Sequence, residues 1–160
     1  MSHEEYYYQE LPKVMQSFIQ CVEAIAHLHK KGFHHGDIRS DHIIINSETD
    51  TYVWIDFDYE VCDLYDVVCL GNVLQQVVGK GRHSLDDIRV QPSDYPDFNN
   101  TLTSDDMSLM RRHRVANLRK LYPYISEALN EILMRFSAGA ADSYDNAESL
   151  LTDLRILFRS

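Results

Sequence analysis

The clearest pattern in the chain lies between residues 14 and 28, where Val14, Phe18, Cys21, Val22, Ile25 and Leu28 recur mostly at intervals of three and four. That spacing lays one apolar stripe along a helix. Gly32 ends the predicted helix just after Lys30 and Lys31, two cations suited to a helix C-terminus. The period then shortens. Ile43-Ile44-Ile45 and Tyr52-Val53-Trp54-Ile55 flank the polar stretch Asn46-Ser47-Glu48-Thr49-Asp50-Thr51, and two β-rich runs joined by such a turn predict a small hairpin. From Leu64 to Val78 the residues are apolar nearly all round and stop at Gly79, as in a helix enclosed by its domain.

Residues 82–103 contain Pro92, Pro96, Asn99 and Asn100 and have little periodicity, which predicts a surface connection with one short helix near Ser84. Ser104-Asp105-Asp106 is a helix-opening signal, and the expected helix runs from there to Leu121. Its polar face would carry Arg111-Arg112-His113-Arg114, Arg119 and Lys120. Ile125, Leu129, Ile132, Leu133 and Phe136 mark a further helix, and Ala147, Leu150, Leu151, Leu154 and Leu157 a last one. The expected fold is mainly α, one domain over residues 1–160 with about six helices and one or two small β-hairpins.

Composition narrows the class. At 160 residues, 44% hydrophobic and 25% charged, the chain can bury roughly 70% of its unfolded surface in one core. No apolar run reaches the ~18 residues of a membrane helix, and Met-Ser-His-Glu-Glu is unlike a secretory signal. A cytoplasmic protein without a membrane partner is expected. Cys21, Cys62 and Cys69 make no Cys-x-x-Cys pair, which fits buried thiols in a reducing compartment. A formal charge of −10 opposes binding along a nucleic-acid backbone, so nucleic acid is not an expected partner. The basic segment from Arg111 to Lys120 reads as a solvated helix face, with an anionic docking surface as the alternative.

Candidate chemistry centres on two carboxylates. Asp37 lies in the turn opened by Gly36, and Asp56 follows the second strand of the predicted hairpin. A hairpin can bring the residue before its first strand close to the residue after its second, so both acids are candidates to face one pocket. One could position a hydroxyl and accept its proton while the other holds Mg²⁺ against phosphates, with Arg39 steadying a phosphoryl oxygen. For either acid alone, a turn or capping role is the ordinary reading.

In these segments the chain resembles protein kinases. His29 before Gly32 is similar to the Leu-His-x-x-Gly that leads into their catalytic loop, and His35-Gly36-Asp37-Ile38-Arg39-Ser40-Asp41-His42 aligns with their His-Arg-Asp-x-x-x-x-Asn. Asp56-Phe57-Asp58 falls where Asp-Phe-Gly belongs, and the run from Asp66 to Gly79 resembles their central buried helix. Residues 125–136 and 147–154 look like the last two helices of the same large lobe. The resemblance covers nearly the whole chain and implies the fold of a kinase C-terminal lobe. It further implies Asp37 as catalytic base, Arg39 near the transferred phosphoryl group and the nucleotide, Asp56 on Mg²⁺, His42 at the place of a second cofactor and metal ligand, and His35 and Asp66 as structural braces. The cofactors would be Mg²⁺ and ATP. On this reading His29 and His35 are core positions, and the cysteines do not cluster with them as zinc ligands.

The departures are as informative. His42 offers nitrogen where a hard cation prefers oxygen, and Asp58 replaces a glycine beside the metal position. Gly36 replaces the arginine that, in many kinases, reads a phosphate on the activation loop. Seven residues separate Asp58 from Asp66, too few for an activation segment, and no Ala-Pro-Glu occurs there. The Arg partner of that motif is missing around Asp142-Ser143-Tyr144. No glycine-rich loop and no strand lysine precede the first predicted helix, so the small N-terminal lobe that covers ATP is absent from these residues.

The expected function is therefore a kinase-like phosphotransferase lobe, moving phosphate from ATP to a protein Ser/Thr or another hydroxyl and needing a completing N-lobe, with the isolated chain inactive. The alternative is a pseudokinase, a lone lobe serving as a protein-interaction scaffold. Small-molecule kinases of the antibiotic-phosphorylating type also use His-Gly-Asp-x-x-x-x-Asn and Ile-Asp-Phe-acid, which keeps a small hydroxyl substrate open. The expected partner is a protein or the completing lobe, with Tyr6, Tyr7 and Tyr8 as candidates to cover or form an apolar patch at its place.

Overall fold

The computed structural model describes residues 1–159, which contain six α-helices and one two-stranded antiparallel sheet in a mainly helical fold. The chain forms two compact units, one of Met1–Leu11 with Gln75–Ser143, the other of Pro12–Leu74 with Tyr144–Ser160.

In the second unit, helix α2 (Leu11–Lys30) buries Met15, Phe18, Ile19, Cys21, Val22, Ile25 and Ala26 along the stripe that the spacing predicts. It ends as Gly32 turns to φ 82°, with Gly32 N–H donating to His29 and Phe33 N–H to Leu28. Those two bonds satisfy carbonyls that the last helical turn leaves open. Strands β1 (Ile43–Asn46) and β2 (Thr51–Trp54) pair with Ile43 opposite Trp54 and Ile44 opposite Val53. Trp54 is buried and its indole N–H donates to the Cys21 carbonyl at 3.0 Å, which ties the hairpin to α2. Helix α3 (Asp63–Val78) buries Asp66, Val67, Leu70, Val73 and Leu74. Helix α6 (Ala147–Leu157), capped by the Asn146 side chain on Ser149 N–H, buries Ala147, Leu150, Leu151 and Leu154.

The first unit opens with helix α1 (His3–Gln9), which the apolar pattern does not announce. A reciprocal cap forms it: Ser2 Oγ accepts Glu5 N–H, and the Glu5 carboxylate accepts Ser2 N–H. The short helix near Ser84 is α4 (Leu85–Val90), capped the same way by Ser84 and Asp87. Helix α5 (Glu127–Met134) buries Leu129, Ile132 and Leu133.

The helix expected from Ser104 to Leu121 does not form. Short 3-10 turns cover Ser104–Asp106 and Leu118–Lys120, and the backbone between them makes isolated bridges from Met107 to Val115, Ser84 to Arg114 and Ser108 to Ser137. The buried Asp106 carboxylate explains this, since it gathers Thr103 N–H, Asn117 Nδ2 and Lys120 Nζ from both ends of the segment. Burial alone would raise its carboxyl, but Lys120, Thr103 and Asn117 together hold it below the usual range. The basic run is thus divided. Lys120 and Arg119 are structural, Arg119 donating to the Ile125 carbonyl, while Arg111 and Arg112 stay exposed.

Two histidines knit the first unit. His3 stacks on Tyr122 with ring centroids 3.7 Å apart, and its Nε2–H donates to the Val78 carbonyl while Nδ1 accepts from Tyr124. His83 repeats the scheme with the Gly79 carbonyl and the Tyr95 hydroxyl. A carbonyl can only accept, so both imidazoles are held as the Nε2–H tautomer. Burial pushes both below the usual histidine range.

Candidate functional site

The site is assembled by His35. Its side chain is wholly buried, and the residue makes five hydrogen bonds. His35 N–H donates to Asp66, and its Nε2–H donates to the Ile55 carbonyl at 2.9 Å. Its Nδ1 accepts Asp37 N–H at 3.1 Å. The His35 carbonyl accepts from Asp58 N–H and Tyr59 N–H. One ring therefore joins the residue before the hairpin to the last residue before Asp56. Burial lowers its pKa, against the raising effect of the Ile55 bond and Asp66, and keeps the ring neutral in this tautomer.

Asp66, in the first turn of α3, is fully buried and accepts three bonds of 2.8 Å, from His35 N–H, Gly36 N–H and His29 Nε2–H. Burial would raise its carboxyl; the bonds from His29, Gly36 and His35 outweigh that and lower it. Gly36 has φ 87°, and a Cβ there would meet Tyr59 N at 3.0 Å and Asp58 Cβ at 3.1 Å. Both its conformation and its close approach to the 58–61 segment demand glycine.

On this frame stand the two carboxylates. The main chain of Asp37 is fixed on both sides, its N–H by His35 and its carbonyl by His42 Nδ1–H at 2.9 Å. Its carboxylate is 43% exposed and accepts no hydrogen bond among the described residues. Asp56 adopts φ 58°, a left-handed conformation uncommon for a residue with a side chain, and its carboxylate is 67% exposed. His42 lies between them, with Nδ1 3.6 Å from Asp37 Oδ2 and Nε2 3.7 Å from Asp56 Oδ2. The structure thus brings Asp37, His42 and Asp56 to one spot. It also places Arg39 beside them, paired through two bonds to Asp41 rather than to either acid. Asp41 raises the guanidinium pKa most, and Asp37 and Asp56 add to that effect. Phe57 packs on His35 at 4.3 Å and stacks on Tyr59.

This donor set suits a singly ligated hard cation. Mg²⁺ usually takes one or two carboxylates and completes its shell with water and phosphate oxygens, a role open to Asp56. His42 has Nδ1 committed to a carbonyl, so only Nε2 remains, and nitrogen fits a softer metal better than Mg²⁺.

Sequence reasoning missed a second constellation in the same unit. His29 Nε2, His34 Nδ1 and Asp63 Oδ1 lie within 4.8 Å of one another. His34 and Asp63 stand 29 residues apart, so no local spacing announces them. In the other unit a pocket of about 470 Å³, lined by Leu85, Leu102, Met107, Ala138 and Arg112 among others, contains none of the expected site residues. Among the described residues, no helix is long and apolar enough to cross a membrane. No protein-family model matches the chain, and no curated protein matches it.

Proposed function

We propose that this chain is a kinase-like phosphotransferase lobe that acts on a hydroxyl, of a protein Ser/Thr or another alcohol, once a second lobe covers the nucleotide. One observation carries the reading: two exposed carboxylates, accepting no hydrogen bond among the described residues, flank one imidazole on backbone held by His35 and Asp66. A phosphotransfer site needs such placement more than it needs covalent chemistry. Asp37 would orient the acceptor hydroxyl and take its proton as the new O–P bond forms and the bond from the γ-phosphorus to the departing ADP oxygen breaks. Asp56 would hold Mg²⁺, which would supply charge neutralisation at the phosphates of ATP. Arg39 could turn from Asp41 to a phosphoryl oxygen at little cost, because an exposed, solvent-screened ion pair contributes little. A completing lobe has a surface to meet in the exposed Ile44, Val53, Phe57 and Tyr59 of the same unit. No disulfide joins Cys21, Cys62 and Cys69, which accords with a cytoplasmic setting.

A specific observation favours a second reading, that of a protein-binding scaffold. The His42 ring stands between Asp37 and Asp56, 3.6 and 3.7 Å from their carboxylates, in the space a metal would need.

Calorimetric titration of the full chain with Mg²⁺·ATP decides between them, with metal-free nucleotide and Asp56→Ala as controls. Metal-dependent binding that Asp56→Ala abolishes is the expected result. Absence of binding at saturating nucleotide, or binding indifferent to Asp56→Ala, overturns the nucleotide site and leaves the scaffold. Asp37→Asn then removes turnover from a catalyst and leaves partner capture by a scaffold unchanged.

A further inference from the structure

We infer that His29, His34 and Asp63 form a binding site for a divalent transition-metal ion of the zinc class, with water completing the shell. The inference does not depend on phosphotransfer. The donors come from three separate places: the last turn of α2, the loop before Gly36, and the first turn of α3. His34 Nδ1 lies 2.5 Å from Asp63 Oδ1, His29 Nε2 lies 3.7 Å from the same oxygen, and His29 Nε2 is 2.8 Å from Asp66 Oδ2. Tetrahedral zinc, with bonds of ~2.0–2.2 Å, spaces its ligand atoms at roughly 3.3 Å. The three ligand atoms lie within 4.8 Å of one another, with separations on either side of that value, so modest side-chain adjustments would centre an ion between them.

The chemistry agrees. Two imidazoles and a carboxylate suit zinc or cobalt rather than magnesium or calcium. Asp63, and Asp66 beside His29, supply negative charge that a divalent cation offsets. On binding, each ligating nitrogen must be unprotonated, and Asp66 gives up its bond from His29. Asp66 Oδ2 can still accept His35 N–H, and Oδ1 still accepts Gly36 N–H. An ion here would clamp the end of α2 to the start of α3 and fix the turn that carries Asp37.

The test is titration of the full chain with Zn²⁺, followed by calorimetry, and with Co²⁺, followed by its visible absorption. One ion per chain is expected, with a tetrahedral Co²⁺ spectrum. His34→Ala and Asp63→Asn, both partly exposed and separable from the buried brace, should each weaken binding at least about tenfold and remove the Co²⁺ band. His27→Ala, an exposed histidine on the same helix, should change nothing. Trp54 fluorescence confirms that each variant stays folded. Absence of binding overturns the inference and leaves two hydrogen-bonded pairs. Binding that survives both His34→Ala and Asp63→Asn overturns it too, because the ion then sits elsewhere.

Discussion

Asp66→Asn is the sharpest perturbation of the frame beneath the carboxylates. The change is nearly isosteric, so packing is preserved while hydrogen bonding is not. Asp66 Oδ1 serves Gly36 N–H, and Oδ2 serves His35 N–H and His29 Nε2–H. An amide has one oxygen. Whichever way it is turned, its NH₂ group faces at least one buried backbone N–H and orphans it, at about 1–3 kcal/mol. The surviving bonds lose their charge assistance, at about 1 kcal/mol each. A loss of about 2–5 kcal/mol follows. With a urea dependence of about 2 kcal/mol/M, the middle of the range for a small protein, the midpoint should fall by roughly 1–2.5 M. The chain has a single tryptophan, Trp54, buried in the unit that contains Asp66, so its fluorescence reports that unit directly. A loss below about 0.5 kcal/mol, the range of ordinary surface substitutions, would refute the account of Asp66 as the anchor of the turn.

The remaining predictions concern pH and thiols. His3 and His83 are neutral in the fold, with pKa values below the unfolded ~6.5, so the unfolded chain takes up protons first as pH falls. Stability of their unit should be full above about pH 7 and decline as pH drops through about 6.5; melting followed by circular dichroism measures it, and His83→Gln should flatten the slope. A melting temperature unchanged between about pH 7.5 and 5.5 would contradict the assigned tautomers. Of the three thiols, Cys62 is exposed while Cys21 and Cys69 are buried, and burial pushes the Cys21 thiol up to about 11. A chromogenic disulfide reagent should titrate one thiol rapidly in the native protein and none in Cys62→Ala.

Helices α2, α3 and α6 were legible because each rests on an apolar pattern that tertiary packing then used, and the hairpin because two β-rich runs flank a polar turn, although Ile44, Ile45 and Val53 are exposed. Helix α1 was not, because it buries no residue and offers no stripe. Its only announcement is Ser2-His3-Glu4-Glu5, a capping-box signature that needs no hydrophobic period. The converse failure lies at Ser104-Asp105-Asp106, where a helix-opening signal was met by a buried charge. Asp106 draws Asn117 and Lys120 onto itself, and a continuous helix cannot bring those side chains around one carboxylate. At the candidate site, the proximity of Asp37 and Asp56 follows from hairpin geometry. His42 was legible as a position, but its place between both acids was not, because it depends on the bond from Nδ1 to the Asp37 carbonyl. The left-handed backbone of Asp56 has only a weak sequence signal, since aspartate tolerates that conformation better than most residues but does not require it.

The ring of His35 gives the hairpin a closed neck. Asp37 N–H and the Ile55 carbonyl meet on opposite nitrogens of one imidazole, while Ser47 to Asp50 at the far end are exposed and in a turn. Once the neck is fixed, lengthening the tip adds only loop entropy, which grows with the logarithm of length at about 0.6 kcal/mol per doubling. Residues could be inserted or lost at the tip over evolutionary time without moving either carboxylate. The molecule thus separates a place where its sequence is free to drift from a place where one atom out of position would be felt.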